Sequence, residues 1–299
     1  MLFGKLPTPV IEIFDPVFKR CGVRVLVKRD DLVHEQVQGN KWRKLKYNLL
    51  RAKELGYKRI VTFGGAYSNH VYAVSAAGWL LGFETVAIIR GEERPFNHVL
   101  SKAVAFGMKL EYLSRREYRR KDSPEALRLL ERYSPCYVLP EGGTNHLAVE
   151  GVSELIAELN FDYDYICCAC GTGGTLAGLV SGLAGRRYCI GVSVLKGGGF
   201  LLDEVRRFTS HDNYCVLLDY HFGGYAKTKP PLQNFIEEFV FRHGIPLEPV
   251  YTGKLFYAVY DLVRQGAFKR GSTIVLLHTG GILRRGDPLE ARSVALCPA

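Results

Sequence analysis

The feature that most constrains the fold is a regular alternation of short apolar runs with longer amphipathic segments along nearly the whole chain. The apolar runs are rich in β-branched and aromatic residues, as strands are, and the segments between them have the length and spacing of helices. Strands that alternate with helices predict parallel sheets with helices on both faces. The run DYICCAC (164–170) shows no polar alternation, which is typical of a strand buried on both faces.

The alternation predicts an α/β protein with two open, twisted, mostly parallel sheets flanked by helices. Nine strands are predicted, at 23–29, 59–65, 84–91, 109–114, 136–142, 164–171, 188–195, 214–220 and 272–280. Seven helices are predicted, at 41–55, 68–82, 97–106, 146–159, 175–183, 232–243 and 255–264. Because no repeat or long linker separates these elements, we expect a second domain to be inserted rather than added in tandem.

Composition limits the class of protein. The chain has 299 residues, of which 47% are hydrophobic and 23% charged, an ordinary globular balance. No stretch reaches the roughly 18 consecutive apolar residues that a membrane span needs. The polar, proline-containing start MLFGKLPTPVIEIFDP lacks the apolar core of a signal peptide. We therefore expect a cytoplasmic protein that does not contact a membrane.

The net charge of +10 raises the question of a nucleic-acid partner. The basic residues are spread along the chain, with one local run, SRREYRRKD (114–122), that fits a polar helix or loop. Strong, salt-dependent binding of DNA or RNA would support a nucleic-acid function. We expect none, because an anionic cofactor and anionic substrates would also suit a positive field.

The cysteines do not predict a metal site. Three of the eight, Cys167, Cys168 and Cys170, fall in one apolar run. A zinc site would need paired ligands at spacings such as CxxC with a second pair downstream, and that pattern is absent. We expect these three to be small buried residues and predict no metal.

The segment CGTGGT (170–175) is a candidate phosphate site. A predicted strand ends there, small residues turn, and a helix follows. Glycines let backbone N–H groups surround an anion, and a helix start adds partial positive charge. The pattern matches neither a dinucleotide fingerprint nor a nucleotide P-loop. A glycine-rich turn without a ligand is the alternative.

Lys41 lies in QGNKWRKLKYNL (38–49), where Asn40 is a good helix N-cap. Lysine and arginine residues crowd the predicted first turn, although the helix dipole disfavours cations there. A partly desolvated lysine near a helix start has a lowered pKa and reacts better with aldehydes. A solvated basic turn is the alternative.

The segment FGGAYSNHVYA (63–73) follows another predicted strand. Ser68 could cap the next helix and serve structure alone. It could instead form, with Asn69 and His70, a cluster of hydrogen-bonding groups at the carboxyl end of the strand. The residue types alone favour neither interpretation.

Taken together, these segments closely resemble one family. The motifs are LPTPVIEI (6–13), VKRDDL (27–32), GNKWRKL (39–45), GGAYSNH (64–70), PEGGTN (140–145), CGTGGTLAGL (170–179), PVYTGK (249–254) and LHTGG (277–281). In this order they resemble the pyridoxal phosphate (PLP)-dependent 1-aminocyclopropane-1-carboxylate (ACC) deaminase and D-cysteine desulfhydrase family. That family has the fold of the tryptophan synthase β subunit, PLP fold type II.

The resemblance implies a cofactor, pyridoxal 5′-phosphate, and a role for each matching residue. It makes Lys41 the Schiff-base lysine and Lys44 and Asn69 cofactor contacts. It implies that the phosphate is held by the turn of Gly171, Thr172, Gly173, Gly174 and Thr175. It implies that Ser68, Tyr225 and Tyr251 are catalytic residues beside the substrate, and that Thr252 lies at the pyridine nitrogen.

The resemblance also implies an architecture. A larger PLP-binding domain would comprise residues 1–54 and 150–299, and a smaller α/β domain, 55–149, would be inserted between them. PLP would lie in the cleft between the two domains. The family is commonly dimeric, so we expect a homodimer that acts on a small amino acid.

Two positions favour thiol elimination over ring opening. Ring-opening members carry a glutamate after the tyrosine (YEG) and a leucine in HLGG, whereas this chain has Thr252 and Thr279. A carboxylate beside the pyridine nitrogen keeps it protonated, and threonine cannot supply that charge. We therefore expect β-elimination from D-cysteine, with ACC deamination as the alternative. Tyr67 replaces the glutamine that many members carry before the serine, so a catalytically silent PLP-binding or regulatory protein is a second alternative.

Overall fold

The computed structural model describes residues 3–93, 97–121 and 123–282, and shows a mixed α/β fold built on two sheets. The larger sheet contains β1 (Val10–Ile13), β2 (Arg24–Lys28), β7 (Tyr165–Cys170), β8 (Tyr188–Ser193), β9 (Tyr214–Leu217) and β10 (Thr273–Leu277). The smaller sheet contains β3 (Arg59–Gly64), β4 (Glu84–Arg90), β5 (Lys109–Leu113) and β6 (Tyr137–Leu139). The predicted two-sheet α/β class is therefore confirmed.

Both sheets are mostly parallel, as predicted. The strand orders are β1-β2-β10-β7-β8-β9 and β5-β4-β3-β6, and only β1 pairs antiparallel with its neighbour. In the larger sheet Cys170 pairs with Ser193, so β7 and β8 end at the same level. Parallel strands bring the loops after their carboxyl ends to one edge, which is where ligands bind in open α/β sheets.

Eleven helices of the described ranges cover the sheets. They are α1 (Pro16–Cys21), α2 (Gly39–Glu54), α3 (Asn69–Leu81), α4 (His98–Ala105), α5 (Arg115–Arg119), α6 (Pro124–Arg132), α7 (His146–Ser153), α8 (Gly174–Leu183), α9 (Leu201–Arg206), α10 (Pro230–His243) and α11 (Thr252–Arg264). None of the described helices is long and apolar enough to cross a membrane.

Each sheet has a buried core on both faces, which explains why its strands are almost uniformly apolar. In β3, Ile60 packs with α3 on one face while Val61 and Phe63 pack with α5 and α6 on the other. The larger sheet is covered by α1, α10 and α11 on one face and by α7, α8 and α9 on the other. The three clustered cysteines of β7 are buried free thiols, and burial raises the pKa of Cys167. Cys297 lies outside the described residues.

Helix α2 connects the two halves of the fold. Trp42, Leu45 and Leu49 pack in the core of the smaller sheet, although α2 precedes that sheet in the chain. Its first turn meets the end of β10, because the α-carbon of Gly39 lies against the carbonyl of Thr279. A methyl group on Gly39 would lie 2.0 Å from that oxygen, and its φ of +55° also favours glycine. The inserted domain at 55–149 stays a prediction.

Candidate active site

A cavity of about 690 Å³ opens where the carboxyl ends of the strands in both sheets face each other. Its walls come from the segments after β3, β5, β6, β7, β8, β9 and β10, from the last residue of β4 and from the start of α2. Among the predicted site residues, the lining includes Lys41, Lys44, Ser68, Asn69, Gly171, Thr172, Gly173, Thr175, Tyr225 and Tyr251. Gly174 and Thr252 are not part of the lining.

The glycine turn after β7 is built to approach a second element closely. Gly173 has φ +79°, and α8 begins at Gly174. A methyl group on Gly174 would lie 2.7 Å from the Thr144 side chain and 3.0 Å from Lys44 Nζ. Glycine therefore lets the start of α8 meet the lysine directly. The hydroxyls of Thr144 and Thr172, 2.6 Å apart, add donors at the same place.

Lys44 is a buried lysine whose hydrogen-bond partners among the described residues are neutral. Its Nζ donates to the Gly142 carbonyl and the Thr144 hydroxyl, both at 3.2 Å. Within the described residues no carboxylate lies within ion-pair distance of it. Burial, followed by repulsion from Lys41, lowers its pKa well below 10.5. An ammonium held this way beside a helix N-terminus favours an anion, so these residues fit the phosphate of PLP.

Helix α2 begins two residues earlier than predicted, and the predicted N-cap is wrong. Gln38 is the N-cap residue, and Asn40 lies inside the first turn. The positive φ of Gly39 lets the chain enter the helix at that point. The Asn40 amide donates instead to Thr175 Oγ1 at 2.8 Å, which ties the lysine helix to the glycine turn. Its own Oδ1 lies 3.4 Å from Lys41 Nζ.

Lys41 lies in the cavity wall, and its ammonium group is a stronger acid than that of a solvated lysine. Burial lowers its pKa from 10.5 to about 8, and the nearby Glu248 carboxylate opposes that shift. Only the neutral amine attacks an aldehyde. At neutral pH a far larger fraction of Lys41 is therefore in the reactive form than of a solvated lysine.

This pKa predicts the pH dependence of Lys41 modification. In the cofactor-free protein, the rate of acetylation of Lys41 should rise with pH to a midpoint near 8, because only the neutral amine reacts. Competitive labelling with acetic anhydride followed by mass spectrometry measures this rate. The same peptide in unfolded protein is the control, with a midpoint near 10.5. A folded-state midpoint above 10 would contradict the desolvated environment.

Ser68 caps a helix and also lies at the cavity, and its functional role stays a prediction. It is the N-cap of α3, where its Oγ accepts the Val71 backbone N–H at 3.3 Å, and it also lines the cavity. Asn69 follows as the first residue of α3 and approaches Gly281, where a methyl group would lie 2.6 Å from Asn69 Nδ2. The smaller sheet thus supplies hydrogen-bonding groups and a helix N-terminus to the cavity.

Two tyrosines from the larger-sheet half meet on the opposite wall. The rings of Tyr225 and Tyr251 pack edge to face with centroids 6.1 Å apart. Tyr251 also lies against the glycine turn, since a methyl group on Gly171 would be 3.2 Å from its ring. Burial, and next the neighbouring Tyr225, raises the pKa of Tyr251 well above 10. Tyr251 therefore keeps its proton at neutral pH and can act as a donor.

Glu248 is a charged residue of the site that the sequence analysis missed. Its carboxylate accepts the backbone N–H groups of Val250, Tyr251 and Thr252 at 2.6–2.8 Å and caps α11. The Thr252 hydroxyl is fully buried and also contacts Glu248. Thr252 is thus placed behind the cavity wall.

Sequence comparison decides the family. A family described as "Pyridoxal-phosphate dependent enzyme" matches residues 1–280. The chain belongs to this family of PLP-dependent enzymes. PLP is accordingly its cofactor. Lys44 and the residues of the 171–175 turn are arranged so that they fit its phosphate.

Relatives narrow the group within the PLP-dependent enzymes. A Pyrococcus furiosus protein named "Putative 1-aminocyclopropane-1-carboxylate deaminase" is 34% identical, over 91% of this chain and 89% of its own length. The Arabidopsis thaliana mitochondrial bifunctional D-cysteine desulfhydrase/ACC deaminase is 28% identical, over 95% and 79%. The crystal structure of an ACC deaminase homologue superposes with a TM-score of 0.77 at 30% identity, over 92% and 89%. This PLP-dependent enzyme is therefore of the ACC deaminase/D-cysteine desulfhydrase type, as the motifs predicted.

Proposed function

We propose that the protein is a D-cysteine desulfhydrase that converts D-cysteine and water to pyruvate, ammonia and sulfide. The observation that carries the proposal is the neutral Thr252 at the position where ring-opening members carry a glutamate. Its hydroxyl is engaged by Glu248 and lies behind the cavity wall. ACC deaminase activity is the second candidate, because the names of both relatives include it.

Different residues of the chain would bind different parts of the cofactor. In our proposal Lys44, the Thr172 hydroxyl and the start of α8 bind the phosphate, and Asn69 contacts the ring. Lys41 would hold the aldehyde carbon through its ε-amine, with release of water. When bound, PLP supplies an electrophilic aldehyde and a conjugated ring that accepts the electron pair released at the substrate Cα.

Acid and base roles follow from the two shifted pKa values. The Lys41 amine would be freed from the aldehyde when the substrate amine takes its place. With a pKa of about 8 as a free amine, it is then the group best suited to take the proton from the substrate Cα. Tyr251, which stays protonated, is suited to donate a hydrogen bond to the departing thiolate. Groups whose environments push their pKa values in opposite directions commonly take opposite roles. Ser68 and the N-terminus of α3 are suited to bind the substrate carboxylate.

The test is a substrate screen with the PLP-loaded protein. D-cysteine, L-cysteine, D-serine and ACC are each assayed for release of ammonia and keto acid. We expect the largest kcat/KM for D-cysteine, at least about tenfold above ACC, since threonine at 252 gives the ring less charge stabilisation. The Lys41→Ala variant is the blank. A larger kcat/KM for ACC would establish the second candidate, and no turnover of any of the four would overturn both.

A further inference from the structure

Lys254 is a fully buried lysine that lies outside the cavity lining. It lies in the first turn of α11 and is 0% exposed. Its Nζ donates to three backbone carbonyls, those of His221 and Gly224 at 2.8 Å and that of Val194 at 3.4 Å. All of its hydrogen bonds therefore converge on the loops that follow β8 and β9.

This position is unfavourable for a lysine considered locally. The helix dipole disfavours a cation in the first turn of α11, and burial lowers the pKa of Lys254 to about 8. In the part of the chain that the structure describes, no carboxylate forms an ion pair with it. Residues that conflict with local preferences in this way often mark functional positions. The compensation here is three charge-assisted hydrogen bonds.

The loop that Lys254 binds has an unusual backbone. Within residues 221–226, the φ angles of Phe222, Gly223, Gly224 and Ala226 are +52°, +100°, +119° and +54°. Positive φ is costly for phenylalanine and alanine, and such conformations persist only where the surroundings hold them. Lys254 binds a carbonyl on each side of Phe222 and Gly223, so it is placed to hold this conformation.

The same loop carries Tyr225, whose hydroxyl reaches the smaller-sheet half across the cavity. The Tyr225 hydroxyl donates to the backbone carbonyl of Tyr67 at 3.3 Å. Tyr67 precedes Ser68 and Asn69, the residues that the smaller-sheet half presents to the cavity. The Tyr225–Tyr67 hydrogen bond thus joins the two halves of the fold across the cavity.

We propose that Lys254 is a positioning residue that fixes the 221–226 loop so that Tyr225 reaches Tyr67 and covers the cavity. The part of this assignment that concerns catalysis rests on the proposed function, in which Tyr225 lies beside the substrate. The part that concerns geometry does not, because it joins only groups of the chain itself.

Hydrogen exchange in the cofactor-free protein tests the geometry without any substrate. Exchange is compared among wild type, Lys254→Met, Tyr225→Phe and the double variant, in peptides covering 221–226 and 65–72. Lys254→Met should raise exchange of 221–226 at least about tenfold, since three hydrogen bonds to a charged donor are lost. Both single variants should raise exchange of 65–72 about fivefold, the effect of one neutral hydrogen bond.

The double variant is decisive. If Lys254 acts on 65–72 through Tyr225, adding Lys254→Met to Tyr225→Phe should change exchange of 65–72 no further, whereas independent effects would multiply. Lys229→Met, which removes an exposed lysine just after the loop, is the matched control and should leave both peptides unchanged. Should Lys254→Met fail to fold, Lys254→Gln, which keeps a side-chain donor, serves in the same cycle.

Multiplying effects at 65–72, or unchanged exchange of 221–226 in Lys254→Met, would overturn the assignment. With an active substrate, the same cycle in kcat/KM should also show that the double variant is no worse than Tyr225→Phe. If exchange changes as expected but no amino acid is turned over, the result counts against the proposed function alone. The two proposals therefore fail by different measurements.

Discussion

Lys41→Ala should lower the release of keto acid by at least about a thousandfold, the largest activity loss expected of any single substitution in this chain. The expected loss is large because one amine both bonds to the cofactor and handles the Cα proton. Lys44, the other lysine nearby, is bound to Gly142 and Thr144 and cannot substitute. Borohydride reduction of PLP-loaded protein, followed by peptide mass spectrometry, should place a pyridoxyl group on Lys41 in wild type and nowhere in the variant.

Lys53→Ala is the matched control for this prediction. Lys53 lies on the same helix, α2, but is exposed to solvent. Its removal takes the same charge from the same helix, so activity and the labelled peptide should be unchanged. A pyridoxyl group on another lysine of the wild-type protein would show that the assignment of Lys41 is wrong, whatever the activity of the variant.

The sheet architecture could be predicted from the sequence because most strands of the two sheets, such as β4 and β7, are dense apolar runs. The nine-residue α6 was missed although Ser123 caps it and a proline follows in its first turn. The other missed elements are short. Strand β1 has only four residues at a sheet edge and alternates weakly, and α1, α5 and α9 have five or six residues each. Such segments carry too few periods for a pattern to show, and tertiary contacts determine them.

The site was partly predictable for a related reason. Residues in the turns after strands, such as Gly171 and Ser68, are brought to one edge by topology alone. The N-cap at Asn40 was wrong because Gly39 packs against Thr279, a contact 240 positions away in sequence. Glu248 was missed because its proximity to Lys41 depends on how α11 packs. Sequence patterns do not contain such long-range distances.

Breaking the buried ion network around Arg43 of α2 should cause the largest loss of stability. The Arg43 guanidinium is 1% exposed and binds Asp30 through two hydrogen bonds, at 2.6 and 2.8 Å. It also lies 2.9 Å from Glu158, which in turn binds the buried Lys28 at 2.6 Å. Two cations and two carboxylates balance, so removal of one member leaves an uncompensated buried charge.

Arg43→Met should therefore lower the free energy of unfolding by about 3–5 kcal/mol, because Asp30, 0% exposed, would lose its cationic partner. Chemical denaturation at pH 7 measures the change. Arg24→Met is the matched control, since Arg24 forms an exposed ion pair with Glu12 that should contribute less than about 1 kcal/mol.

The double variant Arg43→Met/Asp30→Asn separates charge from packing. If the loss comes from the unpaired carboxylate, removing that charge as well should restore part of the stability, so the double variant should be more stable than Arg43→Met alone. If the loss came from packing, the second substitution would add to it.

Because Arg43 belongs to the same turn as Lys41 and Lys44, the network also fixes the helix that presents both lysines. Recovery of stability without recovery of PLP binding would then show that the ion network positions the lysines as well as holding the fold.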